Sequence, residues 1–98
     1  MKIITLEPIP NQSLSVVLDN VLWEIKAVTC KGSLAVSIKR NSQILIDGAR
    51  AVAGELIIQP SYLSAFGNFA MITDNNELVD YQKFGNSQFL AFVTAADF

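Results

Sequence analysis

The chain has 98 residues, of which 51% are hydrophobic and only 16% are charged, and its formal net charge is −2. Soluble domains carry about 25% charged residues, so this composition excludes intrinsic disorder and indicates either a well-filled core or a surface partly covered by other subunits. The seven basic residues form no cluster, which argues against a protein that binds nucleic acid through its phosphates.

Signals for secretion or membrane insertion are not found. The N-terminal apolar run stops at Glu7 and Pro8, whereas a signal peptide needs about 7–15 apolar residues and a membrane span needs roughly 18. The single cysteine, Cys30, cannot form an internal disulfide, which fits a reducing compartment. We therefore expect one domain over residues 1–98, synthesised in the cytoplasm and without membrane contact.

The dominant sequence period is two, which predicts β-strands. Residues 14–18 and 21–28 alternate around Asp19 and Asn20, which predicts a β-hairpin because Asp and Asn tolerate the positive φ of a tight turn. Further strands are expected at 34–39, 44–46, 56–58, 69–73 and 88–94. Asp47-Gly48 is expected to end the strand at 44–46, which is the fourth when the hairpin strands are counted. Turn signals every 8–12 residues or so predict an all-β fold, either a small antiparallel β-sandwich or a partly open barrel.

An extended arm at residues 7–12 contains two of the three prolines. Pro8 and Pro10 push the residues before them into extended geometry, and neither can donate to a sheet ladder, so the arm is not a central strand. Two interpretations remain: a stiff crossover between two sheets, which the residues alone favour, or a rigid arm that docks on a neighbouring subunit.

Catalytic and metal-binding chemistry has little support in the sequence. Histidine is absent, which removes the commonest general base and most zinc sites. Asp74, Glu77 and Asp80 are close in sequence, but Val79 stands where a calcium loop needs glycine, so a solvated acidic loop is expected. We predict no enzyme activity, no cofactor and no metal. A carboxylate-based hydrolase is the weakest alternative, and it fails if replacing the three acids together leaves function intact.

Two further features are interpreted as structural. Cys30 lies beside a turn without a base to activate it, so it is not expected to be a nucleophile. Trp23 and five of the six phenylalanines have strand-like spacing and are expected to pack in the core rather than form a ligand platform. They are Trp23, Phe66, Phe69, Phe84, Phe89 and Phe92.

Several segments, in their order and spacing, resemble a known family. They are the short strand and Pro-x-Pro-Asn-Gln arm of residues 3–14, the strand and Asp-Gly turn of 44–48, the Tyr-Leu loop of 62–67, the strand and acidic turn of 69–74, and the closing positions Tyr81, Gly85 and 89–90. Together they resemble the phage baseplate plug family first recognised in a cyanophage, over nearly the whole chain. The alanine-rich residues 49–55 and the tail at 95–98 depart from the family pattern.

The resemblance implies a structural virion protein of a contractile-tailed phage (a myovirus) or prophage. Such a plug would lie at the central hub of the baseplate, close or organise the tail lumen, and link the hub to the spike or tube. Its partners would be other baseplate proteins (hub, spike, tube or tube initiator) and further copies around the tail axis, as a trimer or hexamer. A different class stays open: a small β-sandwich binding module, such as a tail-fibre or receptor-recognition accessory, which would be a stable monomer outside the tail axis.

Candidate interface residues are those in arm, loop or tail positions, most of them apolar. They are Pro8, Ile9, Pro10, Asn11, Ile57, Tyr62, Phe66 and Phe98. In the docking interpretation, the stiff arm presents Ile9 and Asn11 to a neighbour at little entropic cost.

Overall fold

Two antiparallel sheets form the protein in a computed structural model, which describes residues 2–30, 32–58, 67–74 and 77–94. One sheet has the order β1-β7-β6, and the other has the order β2-β3-β4-β5. The strands are β1 (Lys2–Ile4), β2 (Asn11–Leu18), β3 (Val21–Cys30), β4 (Ser33–Arg40), β5 (Gln43–Arg50), β6 (Asn68–Thr73) and β7 (Gln88–Val93). The all-β prediction is confirmed, in its sandwich form. In the described ranges, no helix is long and apolar enough to cross a membrane.

The core lies between the two sheets and contains an aromatic cluster. Trp23 of the four-stranded sheet meets Phe69 and Phe92 of the three-stranded sheet, with ring centroids 5.1 and 5.6 Å from the indole. The two phenylalanine rings are themselves 5.2 Å apart. All three side chains are almost completely buried. Tilted and edge-on aromatic pairs add stabilisation beyond their buried area, so this cluster helps to hold the two sheets together. The predicted core packing is confirmed for these three residues and for Phe84, whereas Phe89 is only half-buried.

Tight turns join β2 to β3 and β4 to β5. Asp19 and Asn20 have φ of 53° and 64°, and Asn41 and Ser42 have φ of 48° and 69°. Positive φ at both central residues defines the mirror-image turn that matches the right-handed twist of a hairpin. Asn41 also accepts a hydrogen bond from the Leu22 amide through its side-chain oxygen, at 3.0 Å. The predicted Asp19-Asn20 hairpin is confirmed.

Replacing Ser42 with glycine is expected to stabilise the protein. Serine has a Cβ and is strained in the left-handed region by about 1–2 kcal/mol, whereas glycine is not, although glycine loses about 0.5–1 kcal/mol more backbone entropy on folding. The net gain is up to about 1 kcal/mol, which raises the Tm of a domain of this size by a few degrees. Thermal unfolding followed by circular dichroism measures it. Ser15→Gly, in the interior of β2, is the control and should lower the Tm.

The fourth predicted strand continues beyond the point where it was expected to end. β5 runs through Asp47 and Gly48 to Arg50, with register shifts opposite β4. Gly48 has φ of +70° and its amide donates to the Ser37 hydroxyl at 2.9 Å, while that hydroxyl donates to Asp47 Oδ1 at 3.1 Å. Asp-Gly was therefore wrongly interpreted as a terminating turn: a serine on the neighbouring strand stabilises it as a bulge, and pairing resumes after it.

Residues 51–58 follow β5 and lie along the free edge of β6. The predicted strand at 56–58 is reduced to an isolated bridge between Leu56 and Ala70. Asn68, 3% exposed, holds the segment in place: its side-chain oxygen accepts from the Ile58 and Phe69 amides, and its amide nitrogen donates to the Ile58 carbonyl, each at 2.8 Å. The Asn68 side chain thus makes hydrogen bonds to residue 58 that a neighbouring strand would otherwise make. The alternation of apolar residues in the sequence cannot predict such a contact.

Candidate interaction surface

Residues 7–10 of the arm connect the two sheets, since β1 belongs to one sheet and β2, which begins at Asn11, belongs to the other. Leu6, just before the arm, is 3% exposed and packs in the core. The Gln12 side chain then closes the arm on itself: its oxygen accepts from the Glu7 amide at 3.0 Å, and its nitrogen donates to the Glu7 carbonyl at 2.7 Å. The Ile9 amide donates to the same Glu7 carbonyl at 2.8 Å. The arm therefore has a defined shape within the isolated chain.

The outward side of the arm is exposed. Glu7, Pro8, Ile9 and Pro10 are all exposed, and so is Asn11 at the start of β2. Ile9 keeps 40% of its surface accessible. The arm is a crossover between sheets, as the sequence favoured, and it also displays an apolar side chain on a rigid backbone. The two interpretations are compatible, and docking on a neighbour stays a proposal.

A second rigid feature is the Leu78 loop, residues 77–83. Gln88 of β7 is fully buried and holds this loop: its side-chain oxygen accepts from the Asp80 amide at 2.8 Å, and its nitrogen donates to the Leu78 carbonyl at 2.8 Å. Asp80 accepts from the Gln82 amide at 3.0 Å and caps the 3-10 helix Tyr81–Lys83. The loop thus has no regular pairing but has fixed backbone anchors.

The anchored loop projects Leu78, whose side chain is 82% exposed. Two clefts flank it, one of about 420 Å³ between the loop and the β3–β4 connection, and one of about 140 Å³ toward Val52. Thr29 lines the larger cleft, and its amide donates to the Pro10 carbonyl of the arm at 2.8 Å. The arm, both clefts and the Leu78 loop therefore lie at one end of the sandwich. We call this the end surface; its exposed apolar side chains are Ile9, Val52 and Leu78.

The charge on the Leu78 loop is largely internally balanced. Lys83 Nζ donates to Glu77 Oε2 at 2.9 Å, and the Ser87 hydroxyl and Gln88 amide nitrogen donate to Glu77 Oε1 at 3.3 and 3.4 Å. The Lys83 hydrogen bond, followed by that of Gln88, holds the pKa of Glu77 below its ordinary value of 4.5. The same pair raises the pKa of Lys83. The exposed apolar side chain of Leu78 therefore lies beside an ion pair whose charges balance. Such a surface suits an apolar contact with another protein better than the binding of a charged ligand.

The stability of the protein is expected to depend on Glu77 in acid. Because the pKa of Glu77 is lower in the folded state than its ordinary 4.5, the unfolded chain takes up this proton first. The stabilisation is fully present above pH 4.5 and is lost as pH falls through the folded-state pKa. Urea unfolding measured across this pH range should therefore show that the free energy of unfolding falls less steeply with decreasing pH for Glu77→Gln than for the unchanged chain. Glu55→Gln, at an exposed carboxylate, is the control and should retain the slope.

The predicted interface residues have different locations. Pro8, Ile9, Pro10 and Asn11 lie together on the arm, exposed. Ile57 is 3% exposed and belongs to the core cluster, because residues 53–57 pack along β6, so it is not part of the end surface. Tyr62, Phe66 and Phe98 lie outside the described residues. Leu78 and Val52 were not predicted: Leu78 sits in a segment without periodicity, and only the Gln88 contacts reveal that it is held outward.

Glu77 and Asp80, two of the three clustered acidic residues, make structural contacts. Glu77 is engaged with Lys83, and Asp80 caps a helical turn. Cys30 is exposed at the end of β3. Within the ranges that the structure describes, no group of three or more His, Cys, Asp or Glu side chains is placed to hold a metal ion.

Comparison with known proteins identifies a family. A family model described as cyanophage baseplate Pam3 plug gp18 matches residues 1–95 of this chain. No curated protein matches the sequence. The matched range includes the arm, both sheets and the Leu78 loop, so every element of the end surface lies within the residues that the family model matches.

Proposed function

The chain belongs to the cyanophage baseplate Pam3 plug gp18 family, and from this membership we propose that it is a structural virion protein at the central hub of a contractile phage tail. In this role it closes or organises the tail lumen and links the hub to the spike or tube. It is made in the host cytoplasm and has no catalytic activity. The observation that carries the proposal is the family match over nearly the whole length.

The end surface is the part of the chain that we propose docks on a baseplate neighbour, such as a hub, spike or tube protein. Ile9, Val52 and Leu78 are 40%, 41% and 82% exposed in the isolated chain. Because the core of a protein interface is mostly apolar, side chains of this kind are the ones that a partner would cover. Both of the elements that display Ile9 and Leu78 are held by glutamine side chains, Gln12 and Gln88. A contact made by rigid elements loses little conformational entropy on assembly, which favours binding.

The location is tested by quantitative mass spectrometry of purified contractile-tailed particles from the source phage or induced lysogen. We expect peptides from this chain at three or six copies per particle, as a trimer or hexamer around the tail axis requires. Absence from intact particles, despite expression during infection, would contradict the plug role and favour the alternative of a small accessory binding module.

Variants of the end surface should affect assembly more than folding. Replacing both Pro8 and Pro10 with glycine loosens the arm, and Leu78→Ser removes the exposed apolar group. Each is expected to reduce incorporation into particles several-fold, while the Tm of the purified chain changes by only a few degrees, because none of the three side chains is buried. Incorporation is measured by complementing a phage that lacks the gene.

The matched control for this experiment is Ile44→Ser, an exposed apolar residue on β5 outside the end surface (61% exposed). It should leave incorporation unchanged. If the proline and leucine variants lower the Tm strongly but assemble normally, the arm is only a crossover and the docking role is wrong.

A further inference from the structure

The free edge of β2 presents a regular set of backbone groups. β2 is the first strand of the four-stranded sheet, and among the strands that the structure describes it pairs on one side only, with β3. The two-residue turn at Asp19-Asn20 makes Leu18 and Val21 a hydrogen-bonded pair, and such pairs alternate along an antiparallel ladder. Even-numbered residues of β2 therefore bond to β3, consistent with the Thr29 amide donating to Pro10. The backbone N–H and C=O groups of residues 11, 13, 15 and 17 point away from the sheet.

The other sheet edges in the described chain are short, covered or irregular. The outer edge of β6 receives hydrogen bonds from the amides of Gly54 and Ile57, at 2.9 and 2.8 Å. β1 has only three residues. β5 is interrupted by a bulge and carries Asp47 and Arg50. Proteins protect their edges by these devices, since a long regular edge pairs with other strands. β2 has eight residues, without a bulge, a proline or a charge.

The side chains of β2 also fit a second copy of the same strand. When two β2 strands run antiparallel about a two-fold axis at Leu14, Ser13 faces Ser15 of the other copy and Asn11 faces Val17. No like charges are brought together, because residues 11–18 are uncharged. Leu14 and Val16 pack against the core but are only half-buried at this edge. A second strand would cover both, so pairing adds apolar burial to the backbone hydrogen bonds.

We propose that the free edge of β2 is a self-association site, at which β2 of a second copy pairs antiparallel about a two-fold axis at Leu14. Asn11, Ser13, Ser15 and Val17 each donate one backbone hydrogen bond to the other copy and accept one from it. The two four-stranded sheets then form one continuous sheet. The interface is isologous, so it closes at two copies and involves none of the exposed apolar side chains of the end surface, Ile9, Val52 and Leu78. Of the two copy numbers expected per particle, it fits six, as three dimers, and not three.

Purified protein tests this directly, by light scattering during size-exclusion chromatography over a wide range of concentrations. The expected result is a concentration-dependent species of twice 10.7 kDa. Ser15→Pro should yield a monomer with unchanged far-UV circular dichroism, because the Ser15 N–H points to the free edge and not to β3. Ile44→Pro, which by the same alternation removes an outward N–H of β5, is the control and should remain dimeric.

A charge exchange tests the register and does not depend on proline being tolerated. Ser13→Glu with Ser15→Glu places carboxylates opposite each other across the two-fold axis and should abolish the dimer. Ser13→Glu with Ser15→Lys places opposite charges there and should retain it. Within one copy, Ser13 faces Lys26 and Ser15 faces Glu24, so the second variant is also favourable for folding. Equal behaviour of the two variants would overturn the register.

A disulfide gives the geometric test, with Cys30 replaced by serine. Leu14→Cys should cross-link two copies under oxidising conditions, because residues opposite each other at a non-hydrogen-bonded position have Cα atoms about 4.5 Å apart, which is within the range that a disulfide spans. Val16→Cys, which faces Gln12 of the other copy, should not. A chain that is monomeric at every concentration, or a dimer that ignores these substitutions, overturns the proposal. Neither result bears on the proposed virion role, which is tested separately by whether the chain is present in purified particles.

Discussion

Gly67→Ala is expected to destabilise the protein by about 3–5 kcal/mol, a large part of the roughly 5–15 kcal/mol that holds a domain folded. Gly67 has φ of +128°, a conformation that only glycine adopts without strain. An added Cβ would also overlap Cε1 and Cζ of the Phe92 ring. That ring cannot move aside easily, because Trp23 and Phe69 pack against it at 5.6 and 5.2 Å. Backbone strain and overpacking of the aromatic cluster therefore add.

Chemical denaturation of the variant measures this loss, and Gly32→Ala is the matched control. Gly32 also has positive φ, +78°, but an added Cβ would have no atom within 4 Å, so only the backbone strain of about 1–2 kcal/mol remains. Combining Gly67→Ala with Phe92→Leu should cost less than the sum of the two single changes, because the smaller side chain makes room for the methyl group. Equal losses for Gly67→Ala and Gly32→Ala would show that the ring does not restrict this position.

Gln88→Met is expected to cost about 2–4 kcal/mol, although methionine nearly preserves the side-chain volume. The change leaves the partly buried Asp80 amide and Leu78 carbonyl without their partner, the fully buried side chain of Gln88. Each unsatisfied buried polar group costs about 1–3 kcal/mol. Equilibrium unfolding gives the loss, and hydrogen exchange should show faster exchange of the Asp80 amide. Gln82→Met, at an exposed glutamine of the same loop, is the control and should change stability by less than about 0.5 kcal/mol.

Gln88 also connects the core to the proposed function. If the Leu78 loop docks on a baseplate neighbour, freeing its anchors should reduce incorporation into particles even at a temperature where the variant remains folded. A Gln88→Met chain that is destabilised as expected but assembles normally would mean that the loop orders on binding, and that its rigidity in the isolated chain contributes little to the contact.

Local patterns in the sequence predicted most of the strands. The alternation in residues 14–18 and 21–28 and the Asp19-Asn20 turn are short-range features, and their geometry depends on neighbours a few residues away. The extended shape of the arm likewise follows from Pro8 and Pro10. Asp47-Gly48 was misread, because the same two residues serve as a turn or as a bulge, and the choice depends on Ser37 of another strand.

The surface of the protein was less predictable than its strands. Ile57 and Leu78 are both apolar residues in segments without a clear period, yet one is 3% exposed and the other 82% exposed. The buried side chains of Asn68 and Gln88 account for this difference. Each bonds to the backbone of a loop that precedes its own strand, and these bonds fix which side of the loop faces the core.

The sequence by itself therefore determined the fold class, the hairpin turns and the stiff arm, because these arise from backbone preferences and a two-residue period. Only the tertiary structure decided which sheet edge is free, which loop residues face solvent and where Phe92 excludes a side chain at Gly67. Those features depend on contacts between residues far apart in the chain, whose partners have no local signature.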